Sequence, residues 1–262
     1  MHIVKKVIKT AIFLILVLAC VNGAQAQRRK ITYLQTYDWA PYHFGFLVGT
    51  NFMDYTLILK ENYQNDEHTD FNELPDDMNI TENGFSNYYI TNVARETLNP
   101  GFTVGVVGDL RLGNYFNLRF CPTYSFNSIN IEYTLDINNQ SEPRTYLSKH
   151  QNVNCLEFPL HIKYRSKRYN NIAAYLLGGL NPKLYFTFPR IADANWIQTK
   201  PFDLALEFGS GFDFYNQWFK MGVEVKMGFG LFNILREQQP YFYGHPLEGL
   251  RNKQLQVSLT FE

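Results

Sequence analysis

The sequence predicts an all-β chain: an eight-stranded antiparallel up-and-down transmembrane β-barrel, a meander with long external loops. Three observations predict it. Apolar and polar residues alternate with period two in about eight segments. An export leader opens the chain, and no later apolar run reaches the length of a spanning helix, so any membrane integration must use strands.

The leader comes first in the chain. Lys5, Lys6 and Lys9 precede the apolar run Ala11 to Val21, and Ala24-Gln25-Ala26 supplies a small-x-small cleavage site. The run is about eleven residues, against roughly 20 for a spanning helix. Cleavage after Ala26 divides the chain into a signal peptide, 1–26, a periplasmic N-terminal segment, 27–42, and a transmembrane barrel, 43–262. A rival reading takes Val17-Leu18-Ala19-Cys20 as a lipoprotein signal, to which the leucine is a poor fit.

The strands follow in order. Phe44, Phe46, Val48 and Phe52 share one face of the first, with Gly45, Leu47, Gly49 and Asn51 on the other. Phe102, Val104, Val106, Leu110 and Leu112 alternate with Thr103, Asp109 and Arg111, and a turn at 113–114 leads to Phe116, Leu118, Phe120, Tyr124 and Phe126. Leu156, Phe158, Leu160, Ile162 and Tyr164 alternate with Glu157, His161, Lys163 and Arg165. The segment 171–188 is apolar on both faces around Gly178-Gly179, with Pro182 interrupting it. A bulge or bend is expected near the glycines of this segment and of the first. Phe202 to Phe214, Phe219 to Phe229 and Leu255 to Phe261 complete the set. Long connections (58–100, 136–152, 189–201, 233–252) alternate with short ones (113–114, 166–169, 215–217), which puts both chain ends in the periplasm.

The polar face decides between a membrane barrel and a soluble, lipocalin-like one. Six acids (Asp109, Glu157, Asp203, Glu207, Asp213, Glu224) meet six bases (Arg111, Arg119, Lys163, Arg165, Lys220, Lys226) on the face opposite the large apolar residues. Eight strands leave too little interior for the large residues, so these face lipid and the charges face the lumen. Buried charges are expected to pair, giving an ion-pair plug that also takes in His161 and argues against a porin. Cys121 and Cys155 fall on the lumen face, where either a disulfide or two inert thiols is open.

Composition and motifs exclude much else. With 24 basic and 24 acidic residues the formal net charge is zero, which removes the electrostatic case for nucleic acid. The aromatic content of 16% suits a barrel with interfacial rings. Asp66-Glu67-His68, Asp70, Glu73, Asp76 and Asp77 form an acidic cluster in the first long connection without metal-site spacing, and are expected to be solvated loop charges. Asp193, His150 and His245 lie in loops without a nucleophile at productive spacing. The reading is of a non-enzyme with no cofactor and no small-molecule substrate, integral to an outer membrane, whose partners are outer-membrane lipid and lipopolysaccharide.

Several stretches resemble the PorT family of outer-membrane barrels, components of the type IX (Por) secretion system of Bacteroidetes. They are Tyr37-Asp38 with His43-Phe44-Gly45-Phe46, Gly108-Asp109-Leu110-Arg111-Leu112-Gly113, Leu156-Glu157-Phe158-Pro159-Leu160, Glu207-Phe208-Gly209 with Gly211-Phe212-Asp213-Phe214, and the terminal Ser258-Leu259-Thr260-Phe261-Glu262. The resemblance implies a role in exporting cargo proteins that bear C-terminal sorting domains, with other secretion subunits as partners. A plugged eight-stranded barrel is too narrow for a folded protein, so an accessory or assembly role is expected rather than the pore. A structural or adhesion-type barrel with no secretion role is the alternative. Arg28, Arg29, Lys30, Tyr33, Tyr37, Asp38, Trp39 and Tyr42 form the candidate periplasmic contact with a partner, with interfacial aromatics and a disordered lead-in as the plainer reading.

Overall fold

The computed structural model describes residues 31–65, 88–95, 99–137, 145–186, 197, 199–236 and 244–262. The chain divides into residues 1–32 and a unit from Tyr33 to Glu262 that carries every described strand. The strands are β1 (Tyr42–Leu59), β2 (Tyr88–Arg95), β3 (Pro100–Arg111), β4 (Phe116–Phe120), β5 (Thr123–Ile137), β6 (Thr145–Glu157), β7 (Leu160–Arg165), β8 (Ile172–Tyr185), β9 (Phe202–Tyr215), β10 (Lys220–Gly230) and β11 (Leu247–Phe261). Every pairing between them is antiparallel. Among the described residues the only helical pieces are the 3-10 turns Tyr37–Trp39 and Tyr63–Asn65.

The strand count corrects the expectation of eight: among the described residues there are eleven. Proline accounts for two of the additional strands, because it has no N–H to give a ladder. Cys121-Pro122 separates β4 from β5 and Phe158-Pro159 separates β6 from β7. The third is β2, which lies in the expected loop 58–100 and pairs with β5 beyond the stretch that β5 gives to β3. Pro182, expected to interrupt its segment, instead lies within β8 opposite Leu204. The bulges expected near the glycines are likewise absent, since register is continuous through Gly45, Gly49, Gly178 and Gly179. Gly179 serves close approach instead: a Cβ there would lie 2.0 Å from the Leu160 carbonyl oxygen.

Following Cα partners around the sheet closes a circuit. From His43 it runs through Asp109, Arg119, His161, Gly179, Glu207, Gly228 and Gln254, and returns to β1 at Met53. It crosses β3, β4, β7, β8, β9, β10 and β11 and arrives ten residues further along β1 than it began. That stagger, over strands about 4.8 Å apart, tilts them by roughly 40°, the usual range for closed barrels.

The two faces have opposite chemistry along this circuit. Phe46 is 68% exposed while Asn51, on the other face of the same strand, is fully buried. The outward set includes Phe44, Phe102, Phe120, Leu176, Phe208 and Val225. On β1 the outward aromatics run from Phe44 to Phe52, nine positions, which matches the roughly 9–11 residues a tilted strand needs to cross a bilayer. Beyond this belt the polarity inverts without any change of phase. Outward positions become Asp54 and Thr56 on β1, Ser128 and Asn130 on β5, and Arg251 and Lys253 on β11. Inward positions become Met53 and Tyr55 on β1 and Ile129, Ile131 and Tyr133 on β5. These join Ile90, Val93, Val153, Tyr185, Ile234 and Leu247 in one apolar cluster. The sheet thus continues past the belt as a water-facing structure with a dry core. This is why segments 89–94 and 127–134 do not read as barrel strands in the sequence.

The inversion predicts two different costs for the same substitution. Val225→Arg, mid-belt on β10, is expected to lower unfolding stability in lipid vesicles by about 2–4 kcal/mol. Ser128→Arg on the extension is expected to change it by less than about 0.5 kcal/mol. Urea titration followed by tryptophan fluorescence distinguishes them.

Candidate functional site

Inward side chains from the circuit build a buried polar interior. Asp109, Arg119, Glu157, His161, Lys163, Asp203, Glu207, Asp213, Lys220, Glu224 and Lys226 are all buried. Arg119 is the hub. It is the direct cross-strand partner of Asp109 and donates through Nη2 to that carboxylate at 2.9 Å. Its Nη1 reaches Glu224 at 3.1 Å, and Nη2 also reaches Glu262 at 2.8 Å. Tyr175 lies beside it, with its hydroxyl donating to Glu224 at 2.9 Å and the Arg119 guanidinium 5.6 Å from its ring. A guanidinium suits this place because its planar fork serves several carboxylates at once.

Other ions pair around the hub. Lys163 donates to Asp213 at 2.8 Å, Lys220 to Glu262 at 2.7 Å, and Lys226 lies 3.6 Å from Glu224. His161 and Glu207 sit two strands apart, with Gly179 between them on the circuit. Because Gly179 has no side chain, the imidazole Nε2 spans that gap to Glu207 at 2.9 Å. Asn181 bridges onward, its amide donating to Glu207 at 2.6 Å and Glu157 at 2.7 Å. Glu157 also accepts from Ser125 at 2.6 Å and faces Lys183 at 3.5 Å, and Lys183 in turn contacts Gln254. Asp203 lies at the upper edge of this network, 3.4 Å from the Tyr185 hydroxyl.

Two arginines expected in the plug sit elsewhere. Arg111 closes β3, so its side chain reaches the barrel mouth rather than the lumen. There it donates to the carbonyls of Gly113 (3.1 Å) and Trp39 (3.3 Å) and to Asn114. Arg165 ends β7 at the same mouth, half-buried, and pairs with Asp38 and the Tyr215 hydroxyl. Conversely, Lys183, Glu262, Asn181, Gln254 and Tyr175 belong to the interior but are not among the residues expected in the plug. Their signal was phase: Tyr175, Gly179, Asn181 and Lys183 share one parity along β8, as Gln254, Gln256, Ser258, Thr260 and Glu262 do at the C-terminal end.

The segment before β1 folds across this mouth. Tyr37 stacks on His43 with ring centroids 3.9 Å apart, and its hydroxyl donates to Glu262 at 3.5 Å. Burial, then the Glu262 carboxylate, raises the Tyr37 phenol well above its ordinary value, so it remains a neutral donor. Asp38 accepts from Arg165 and from Tyr215 at 2.8 Å, while Arg168 reaches the carbonyls of Tyr33 and Leu34. Of the candidate contact residues, Tyr33, Tyr37 and Asp38 are therefore engaged with the barrel. Trp39 and Tyr42 are 69% and 62% exposed. Arg28, Arg29 and Lys30 lie outside the described residues, as do the acidic cluster from Asp66 to Asp77 and Asp193. Cys121 and Cys155 are free, buried thiols. Among the described residues no group of three or more His, Cys, Asp or Glu side chains could hold a metal ion.

Comparison with known proteins agrees with this picture at the level of family. Residues 24–236 match the family described as outer membrane protein beta-barrel domain. Among solved structures, the chain is similar to the outer membrane protein OprG from Pseudomonas aeruginosa, over 85% of this chain and 93% of that one, at 12% identity and a TM-score of 0.40. No curated protein matches it.

Two outcomes follow from the interior. Arg119→Ala leaves Asp109, Glu224 and Glu262 facing one another without their shared cation, and is expected to cost about 3–5 kcal/mol. The loss is read as a lowered temperature for the heat-modifiable shift in gel migration, with partial recovery on adding Asp109→Asn. Cys121 and Cys155 are expected to react with a maleimide only after denaturation; labelling of the folded protein would contradict their burial.

Proposed function

Because the chain belongs to the outer membrane protein beta-barrel domain family, and so is an outer-membrane β-barrel, we propose that it acts by assembly and not by conduction or chemistry. The role is that of an accessory or assembly subunit of a protein secretion machine, the type IX system that exports cargo with C-terminal sorting domains. The observation that carries the reading is the sealed interior. Ion pairs fill the lumen at the level of Arg119 and His161, Tyr37 and Asp38 stopper one mouth, and an apolar cluster fills the other end. Such a barrel offers no passage to a folded protein, which leaves its outer surfaces to work. The resemblance of its motifs to the PorT family supplies the machine.

In this reading both chain ends lie in the periplasm. The short connections 113–114 and 166–169 share the mouth with Trp39 and Asp38, and short turns are the periplasmic ones in barrels of this class. The contact surface for other subunits is then Trp39 and Tyr42 together with the chain that precedes them. One observation favours the alternative, a structural or adhesion-type barrel: the sheet rises past the belt with a polar exterior and a packed core, as a scaffold displaying external loops would.

The two readings separate in cells. Deleting the gene is expected to trap cargo with C-terminal sorting domains in the periplasm, with export restored by the wild-type chain; normal export would shift the assignment to the structural role. In planar bilayers the purified barrel is expected to give no ionic conductance, whereas steady conductance would contradict a sealed interior.

A further inference from the structure

At the mouth that carries the short turns, a pocket of about 410 Å³ opens beside the apolar belt. Its charged lining is Arg111, Arg165, Lys167 and Arg168 against the single carboxylate of Asp38, four cations and one anion, so three positive charges remain. The hydrogen bonds of Arg111 and most of those of Arg168 go to neutral carbonyl and amide oxygens, which orient the guanidiniums without cancelling their charge. Lys167 is exposed. Trp39 and Tyr115 also line the pocket, and Arg111 lies over the Trp39 ring at 5.0 Å. Amphipathic rings of this kind sit at headgroup level.

A second cavity, about 270 Å³, continues up the lipid-facing wall. Ser166 lines both cavities. The floor of the second is made by small residues, Ala174, Ser210 and Gly211, between the larger Tyr164, Leu176 and Phe212. It is an apolar furrow leading away from a basic pocket, a shape and charge distribution complementary to an anionic headgroup with an attached acyl chain.

We propose that this composite site holds one phospholipid of the adjacent leaflet, its phosphate in the basic pocket and one acyl chain along the Ala174–Ser210 furrow. A bound lipid would cover the exposed side of the mouth next to Trp39, where the proposed subunit contact lies. The site itself rests on the function reading only for the orientation that makes this leaflet the periplasmic, phospholipid one.

The test uses the full folded chain equilibrated with phosphatidylglycerol in detergent and then examined by native mass spectrometry. The wild type is expected to retain one lipid through detergent dilution. Lys167→Glu, which reverses one charge, is expected to reduce its occupancy about tenfold. Ala174→Phe, which fills the furrow and leaves the charges alone, is expected to do the same. Excess inorganic phosphate is expected not to displace the lipid. Heat-modifiable gel migration confirms that each variant is folded, and Arg111→Gln serves as a further variant if either is not. Equal retention by wild type and both folded variants would overturn the proposal. So would displacement by inorganic phosphate with no effect of Ala174→Phe, which marks a free-anion site. Preferential retention of lipopolysaccharide with the same variant dependence would also overturn it, by assigning this end to the outer leaflet. None of these outcomes depends on cargo export, so the secretion reading stands or falls separately.

Discussion

A sheet that crosses lipid has no water to satisfy an open edge, so every strand in the belt must find partners on both sides. In this chain the requirement is met by β1, which pairs with β3 on one edge and with β11, from the far end of the sequence, on the other. That closure sets the ten-residue stagger, the stagger sets the tilt, and together they decide which inward side chains share a level. Asp109, Arg119 and His161 become neighbours, and Glu207 comes within reach of His161 because Gly179 lies between them.

The interior is the consequence of that closure. A narrow barrel whose inner face is charged cannot leave those charges apart, since an isolated buried ion is far costlier than a paired one. Here a guanidinium gathers three carboxylates and an asparagine ties two more together. The last residue of the chain, Glu262, and the segment before the first strand, through Tyr37, meet over the same mouth. The segment before β1 and the residue that follows β11 therefore help to seal what the strands enclose.

Much of this was legible from residues alone. Lys163 and Asp213, Arg119 and Asp109, and His161 all stand in the polar phase of strongly alternating segments, and the structure brings each into the buried network. Arg111 stands in the same phase but at a strand end, where a long side chain can turn out of the lumen, and it does. Lys183 was hidden for the opposite reason: Gly178, Gly179 and Pro182 blur the alternation around it, although its parity places it inside. The extension beyond the belt was hidden by its own regularity. Period two persists there with apolar and polar faces exchanged, so Ile129 and Ile131 fall in none of the expected strands, beside an outward face that has become Ser128 and Asn130.

The sequence by itself determined the period-two alternation, the large apolar residues on one face and the balanced charges on the other. With the family match, these specify an antiparallel barrel in an outer membrane. Such information is local, because alternation reports only on a strand and its two sides. What the tertiary structure alone decided is which charge meets which, where three of the expected strands and loops divide into further strands, and at what height the faces invert. Those features depend on register between segments as distant as β1 and β11, and register is a relation between strands that no single segment encodes.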